Sequence, residues 1–418
     1  MKHLPQTKDW QSDGFGTFRA LDFETLWKLE TTEMLCTKQE IQRLKCSHLS
    51  LHDFQRQYEF QEMPLIIQDI PACYGWNCQS EWKIKSLLRH FGNEQFKCGD
   101  GATCEDEVKM SLKNFAKYMD IQKDDTPLYI FDGSFDRNKD QKKLLEYYNV
   151  PPYFSEDLFT VLGDTTRDHR WFLIGPKRSG TSVHIDPLGT SAWNTVMVGT
   201  KRWVLFPPKT PADVATGQYV LQDGEENGPS NYFVDLLPRI RQDRSVTMIE
   251  FLQHPGETVF VPCGWWHGVI NLTDTVAVTQ NYCSRTFFTK VWERTKGTLS
   301  EIPEEWLTIL TDAKLTKQAS DYGHMLRPKD VSTFASTQCC SRFLESGSSH
   351  NIPFLKLLFW QDYNLLLEGG NDDDTIPKCQ TLESDIFKEV TENSNGSITE
   401  QATIKNHHEI NKALASAN

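Results

Sequence analysis

No two of the eleven cysteines in this chain stand three apart as C-x-x-C. That absence argues against a zinc ribbon or a thioredoxin-like redox motif. Scattered, odd-numbered cysteines read instead as reduced thiols of a nuclear or cytoplasmic protein. Long apolar runs are missing too: none approaches the ~18 residues that a membrane helix needs. The opening stretch MKHLPQTKDWQSDGFG has no apolar segment of the signal-peptide kind. The expectation is a chain that is neither secreted nor held in a membrane, and the Asn-x-Thr match at Asn271 is expected to carry no glycan. Positive charge is scarce, with 44 Lys and Arg against 57 Asp and Glu and a net charge of −13. Phosphate backbones are held by clustered cations, so nucleic acid is not expected as the main ligand. A basic protein or peptide suits an acidic surface better, through long-range attraction. There is no internal repeat.

What is present is ordinary globular material, 38% hydrophobic and 24% charged, in 418 residues. That is enough for a large core. Residues 1–45 read as an N-terminal arm. Between 46 and about 165, helical patterns such as EWKIKSLLRHFG and SLKNFAKYMDIQ alternate with strand-like runs such as MPLIIQDI and TPLYIFDGSF. From about 170 the texture becomes short β-branched and aromatic runs broken by Gly and Pro, the pattern of a sandwich or barrel. NTVMV and KRWVLF, separated by Gly199 and Thr200, read as a tight hairpin. Residues 210–246 read as a polar, irregular surface insertion. Helical patterns return over 291–367. There PFLKLLFWQDYNLLLE is apolar almost all round and is expected to bury itself, for instance against a second copy of the chain. Residues 368–418 are acidic and polar, the composition of a disordered tail.

The chemistry concentrates in SVHIDPLGTSAW. In an extended strand, residues two apart share a face, so His184 and Asp186 can reach one ion. Two histidines and one carboxylate on one face of a metal, with open positions opposite, is the donor set of non-heme iron(II) oxygenases. Taken alone, H-x-D is more often a solvated polar face. The third donor has to come from elsewhere, and His254, His267, His324, His350, His407 and His408 all lie downstream. His267 is the best placed, at a strand end in VPCGWWHGVINL after a Pro-Gly bend. Lys201, beside the Gly199 turn, adds a second signal, since a lysine buried there needs an anionic partner.

The run GPKRSGTSVHIDPLGTSAWNTVMVGTKRWVLFPP, together with PGETVFVPCGWWHGVINLTDTVAVTQN, resembles the jumonji C (JmjC) family. Within that family it is most similar to the subgroup of bifunctional arginine demethylases and lysyl hydroxylases. The likeness extends over roughly residues 46–290. It implies a mainly β fold with flanking helices: a double-stranded β-helix (cupin or jelly-roll) barrel at 46–290 with a helical N-terminal part, followed by a C-terminal helical region. It also implies iron(II) and 2-oxoglutarate as cofactors, with O2 as cosubstrate. His184, Asp186 and His267 match the metal ligands. Lys201 matches the lysine that pairs with the distal carboxylate of 2-oxoglutarate. Tyr129 and Thr279 match hydroxyl donors to that carboxylate, and Thr181 and Asn194 match residues near the cosubstrate's metal-binding end. Asn281 is a further candidate there. Trp265 and Trp266 read as packing rather than a substrate cage.

The implied activity is oxygenation of a protein, most simply hydroxylation of lysine side chains in Lys- and Arg-rich substrates. Removal of N-methyl groups from arginine or lysine is the alternative, because the metal site alone does not choose between the two. A non-catalytic scaffold is the rival of another class, but it normally goes with a broken triad or a lost lysine. The acidic tail, and the lack of a clear basic import signal, depart from the family pattern and leave nuclear residence open.

Overall fold

The computed structural model describes residues 41–99, 108–124, 126–160 and 168–298. The segment before residue 41, the expected C-terminal helices beyond 298 with their dimer face, and the tail lie outside the described residues. Thirteen strands are described: β1 (Gln42–Lys45), β2 (Leu65–Gln68), β3 (Gln95–Gly99), β4 (Val108–Ser111), β5 (Tyr129–Asp132), β6 (Arg170–Gly175), β7 (Gly180–His184), β8 (Ser191–Val198), β9 (Lys201–Phe206), β10 (Ile249–Gln253), β11 (Thr258–Val261), β12 (Trp266–Asn271) and β13 (Thr275–Tyr282). They form a nine-stranded sheet, β1-β2-β11-β8-β13-β6-β5-β3-β4, and a four-stranded sheet, β10-β9-β12-β7. From β6 to β9, and again from β10 to β13, the chain passes alternately between the sheets. This alternation is the double-stranded β-helix that the family resemblance implied, and helices flank it.

The expected hairpin at Gly199 does not form. β8 pairs with β11 and β13, and β9 pairs with β10 and β12. Gly199, at φ 80°, and Thr200 carry the chain around the corner from one sheet to the other. Only glycine fits this corner, because a Cβ would lie 2.1 Å from the Asp274 carbonyl oxygen. The misreading has a physical cause. Both strands are buried on both faces almost throughout, so neither shows the apolar–polar alternation that would separate a hairpin from a sheet-to-sheet crossing.

The inner face of the small sheet packs Trp203, Leu205, Ile249, Phe251 and Val269 against Ala192, Val259 and Val261 of the large sheet. Its outer face is covered by the segment expected to be a polar insertion. Tyr232, Phe233, Leu236, Leu237 and Ile240 bury against Val204, Phe206, Leu252 and Ile270. The spacing of these five residues is helical, and polar flanks hide it in a coarse reading. A buried ion cluster ties the same segment down, with Arg241 and Arg202 both donating to Glu250 at 2.5–2.7 Å. The outer face of the large sheet is aromatic. Phe154 stacks on Trp193 with ring centroids 5.8 Å apart, and Phe54 meets Phe260 edge-on at 5.0 Å.

Phe54 leads into a π-helical turn, Gln55–Glu59, that buries Glu59 against the end of β13. Tyr282 and Thr286 donate to this carboxylate, but burial and the nearby Glu156 push it up to about 7. A carboxyl raised in the fold costs stability as pH climbs from its ordinary range through that value. Glu59→Gln should therefore raise the unfolding midpoint at pH 8, by on the order of 2 kcal/mol, and leave it unchanged at pH 4. Equal shifts at the two pH values in thermal denaturation would refute this.

Candidate active site

β7 and β12 are antiparallel neighbours in the small sheet, and their register sets His184 directly opposite His267. The two rings lie 4.3 Å apart, centroid to centroid. β7 ends at His184, so Asp186 is not on a strand, but its backbone is still extended (φ −55°, ψ 148°) just before the turn Pro187–Gly189. The two-residue alternation therefore survives, and the carboxylate comes to the same side. Its Oδ1 is 3.7 Å from Nε2 of both His184 and His267. The donor atoms of the three residues all lie within 4.8 Å of one another, the one such group among the described residues.

The tautomers are set by the backbone. Nδ1 of His184 lies 2.8 Å from the Ser182 carbonyl, and Nδ1 of His267 lies 3.1 Å from that of Trp265. A carbonyl only accepts, so each Nδ1 donates and each Nε2 keeps its lone pair for the shared space. Burial pushes His267 down to about 4, which leaves it neutral at physiological pH. His184 is less enclosed, with 40% of its side chain exposed, and the contact with Asp186 outweighs desolvation to raise it. Burial alone would raise Asp186, but the two imidazoles and Asn281 hold its carboxyl below the ordinary range. Its Oδ2 is buried without a hydrogen-bond partner.

Four residues along β12, roughly 13 Å at strand rise, a second polar cluster closes the inner face. Lys201 begins β9 opposite Asn271. Its Nζ donates to Tyr129 Oη at 2.9 Å and to Asn271 Oδ1 at 2.8 Å, and only 1% of the residue is exposed. Burial pushes the ammonium down to about 7, and no carboxylate among the described residues offsets it.

The JmjC domain, hydroxylase, family model matches residues 171–282. The bifunctional arginine demethylase and lysyl-hydroxylase psr-1 of Caenorhabditis elegans is 39% identical over 300 residues, covering 71% of this chain and 74% of that protein. The chain belongs to the JmjC family of iron(II)- and 2-oxoglutarate-dependent oxygenases. The arginine-specific demethylase JMJ22 of Arabidopsis thaliana is 38% identical over 250 residues, which cover 59% of this chain and 47% of that one. The 2-oxoglutarate and iron-dependent oxygenase JMJD4 homolog of Drosophila melanogaster is 27% identical over 336 residues, covering 68% and 74%.

The JmjC cofactors fit the residues present. Two imidazole lone pairs and an ionised carboxylate with an unpartnered oxygen make a donor set for a divalent metal. A buried lysine without a counter-charge suits a dicarboxylate. Asn194 adds a second orphan, for its buried Oδ1 has no hydrogen-bond partner. Asn194 and Thr279 are register partners on β8 and β13. The Thr279 hydroxyl donates to the Trp193 carbonyl at 2.8 Å, so its proton is already committed. Thr181 lies on β7, paired with Val269. Asn281 reaches both Asp186 and the Thr190 hydroxyl. Trp265 and Trp266 donate to the carbonyls of Glu62 and Thr210, at 3.0 and 3.1 Å, and act as packing.

Sequence reasoning missed Asn271, Ser179 and Gly175 at the lysine end. A Cβ on Gly175 would lie 2.3 Å from Ser179 Oγ and 2.6 Å from both Asn271 Nδ2 and Tyr129 Cδ2. Gly175→Ala should therefore displace that cluster, destabilising the fold by about 1–3 kcal/mol and weakening 2-oxoglutarate binding. An unchanged denaturation midpoint would contradict it.

Proposed function

We propose that His184, Asp186 and His267 hold iron(II), that Lys201 and Tyr129 hold the distal carboxylate of 2-oxoglutarate, and that the chain hydroxylates lysine side chains of basic proteins. One observation carries the reading: a two-histidine, one-carboxylate cluster shares a barrel with a buried lysine that has no counter-ion among the described residues. Bound iron(II), 2-oxoglutarate and O2 supply the oxidising chemistry, in which the keto acid becomes succinate and CO2 while a substrate C–H bond becomes C–OH. The chain's own residues position these groups. Ser182 and Trp265 aim the imidazoles through their carbonyls, and Trp203 stacks near His267 at 6.1 Å to keep one side dry. Lys201 anchors the far end of the cosubstrate, so its keto acid end is directed at the metal. Asn194 and Thr181 line that end. His184, the most exposed ligand, faces the side from which a peptide arrives.

The relatives named as lysyl-hydroxylase and arginine demethylase support a protein substrate, and the net charge of −13 favours a basic one. Full-length protein with iron(II), 2-oxoglutarate and Lys/Arg-rich peptides, methylated and unmethylated, should yield lysines heavier by one oxygen atom in mass spectrometry. Loss of methyl groups alone would replace hydroxylation with demethylation. Absence of both products and of succinate would leave the scaffold reading.

A further inference from the structure

Asn271 ends β12 fully buried, and every polar group it owns is engaged. Its backbone N–H donates to the Ser179 carbonyl and its own carbonyl accepts from the Arg178 N–H, both at 2.8 Å. Its side-chain Nδ2 donates to Ser179 Oγ at 2.8 Å, and its Oδ1 accepts from Lys201 at 2.8 Å. The amide has one admissible orientation. Ser179 Oγ gives its own proton to the Pro176 carbonyl at 2.6 Å, so towards Asn271 it can only accept. The neighbouring group must then be the NH2, which turns the oxygen to the lysine. A relay of Pro176, Ser179 and Asn271 thus presents a fixed acceptor to Lys201. Two of the three ammonium protons go to Asn271 and Tyr129, and the third is left for the cosubstrate carboxylate.

We propose that Asn271 is a positioning residue for 2-oxoglutarate: its amide oxygen, oriented by Ser179, aims the Lys201 ammonium without neutralising it. The inference rests on the cosubstrate role given to Lys201 above. The choice of an amide over an acid is what matters. An aspartate would have the same shape and would hold Lys201 in a permanent ion pair that competes with the incoming carboxylate. An asparagine stabilises the charged lysine by its dipole and leaves the full positive charge to the ligand. Among the described residues Tyr129 is the titratable group bonded to Lys201, and it is neutral at physiological pH because burial pushes its hydroxyl up.

The test is calorimetric titration of 2-oxoglutarate into full-length protein, without peptide, in wild type and in Asn271→Asp, Ser179→Ala and Lys201→Met, with iron(II) affinity measured separately. Asn271→Asp is isosteric. It should weaken 2-oxoglutarate about tenfold at pH 7, the scale of one charge-assisted hydrogen bond, with iron(II) affinity within about twofold of wild type. It should also carry the decline of 2-oxoglutarate affinity to higher pH, a change that a merely structural role would not produce. Ser179→Ala frees the amide to rotate and should weaken 2-oxoglutarate to a smaller degree with the same selectivity. If Lys201→Met weakens 2-oxoglutarate while both other variants bind it like wild type, the role of Asn271 is wrong and that of Lys201 stands. If Lys201→Met binds it normally, the reading beneath also falls. Equal losses for iron(II) and 2-oxoglutarate in Asn271→Asp would assign the residue to the fold alone.

Discussion

Asp186→Ala is expected to abolish succinate release and to lower iron(II) affinity by about a hundredfold or more. Changing residues that merely support a ligand already costs 10- to 100-fold, and Asp186 is the one carboxylate in the cluster. Both imidazoles remain, but two neutral donors do not replace a buried anion whose Oδ2 has no other partner. The metal-free fold should lose a little stability at neutral pH, because His267, His184 and Asn281 together outweigh burial and hold the carboxyl below its ordinary range, which makes the ionised form stabilising. Iron(II) titration, with circular dichroism of the metal-free protein, separates the two effects. Wild-type iron affinity in Asp186→Ala would remove the residue from the metal site.

Lys201→Met should weaken 2-oxoglutarate about a hundredfold at pH 7 and leave iron(II) affinity unchanged. A buried charged partner is worth about 2–5 kcal/mol when one side is removed, and Lys201 is a buried cation at that end of the barrel. The pH dependence gives a second signature. Burial pushes Lys201 down to about 7, so the empty site loses its proton as pH rises through that value, while the dianion demands it. Wild-type affinity should fall as pH rises above about 7, by at most about tenfold per pH unit, and the variant should lack this slope. Stability moves the opposite way. A lysine whose value is depressed in the fold costs stability below about 7, and the cost fades as pH rises towards its ordinary 10.5. Without cosubstrate, Lys201→Met should therefore melt higher than wild type at pH 7. With 2-oxoglutarate added it should lose the upward shift that ligand binding gives wild type. A variant that melts lower and binds both ligands poorly would show a packing role.

The contrast between these two sites explains what could be read in advance. His184 and Asp186 are two residues apart, so strand alternation brings them together whatever the rest of the chain does. The proline and glycine after them, and the bend before His267, mark local turns that residue types reveal directly. The barrel class followed from short β-branched runs, which need no knowledge of pairing. The Gly199 turn was legible as a turn, but its partners were not, since strands buried on both faces give no clue to which sheet each joins.

Asn271 shows the limit from the other side. In sequence it is the first residue of an Asn-x-Thr match, and its partner Lys201 is 70 positions away. Nothing local distinguishes it from a surface asparagine. The covering segment with Tyr232, Phe233 and Leu236 was hidden in the same way, because its apolar face has meaning only once the outer face of the small sheet exists to receive it.

By itself the sequence determined the sandwich-or-barrel texture, the sharing of one strand face by His184 and Asp186, and the place of Lys201 beside a glycine turn, because each depends on residue type and short-range periodicity. The tertiary structure alone decided that His267 stands across from His184, that Asn271 and Tyr129 share Lys201, and that Gly175 must have no side chain. Those facts arise from strand register and from contacts between residues far apart in the chain, which are set when the two sheets close on each other.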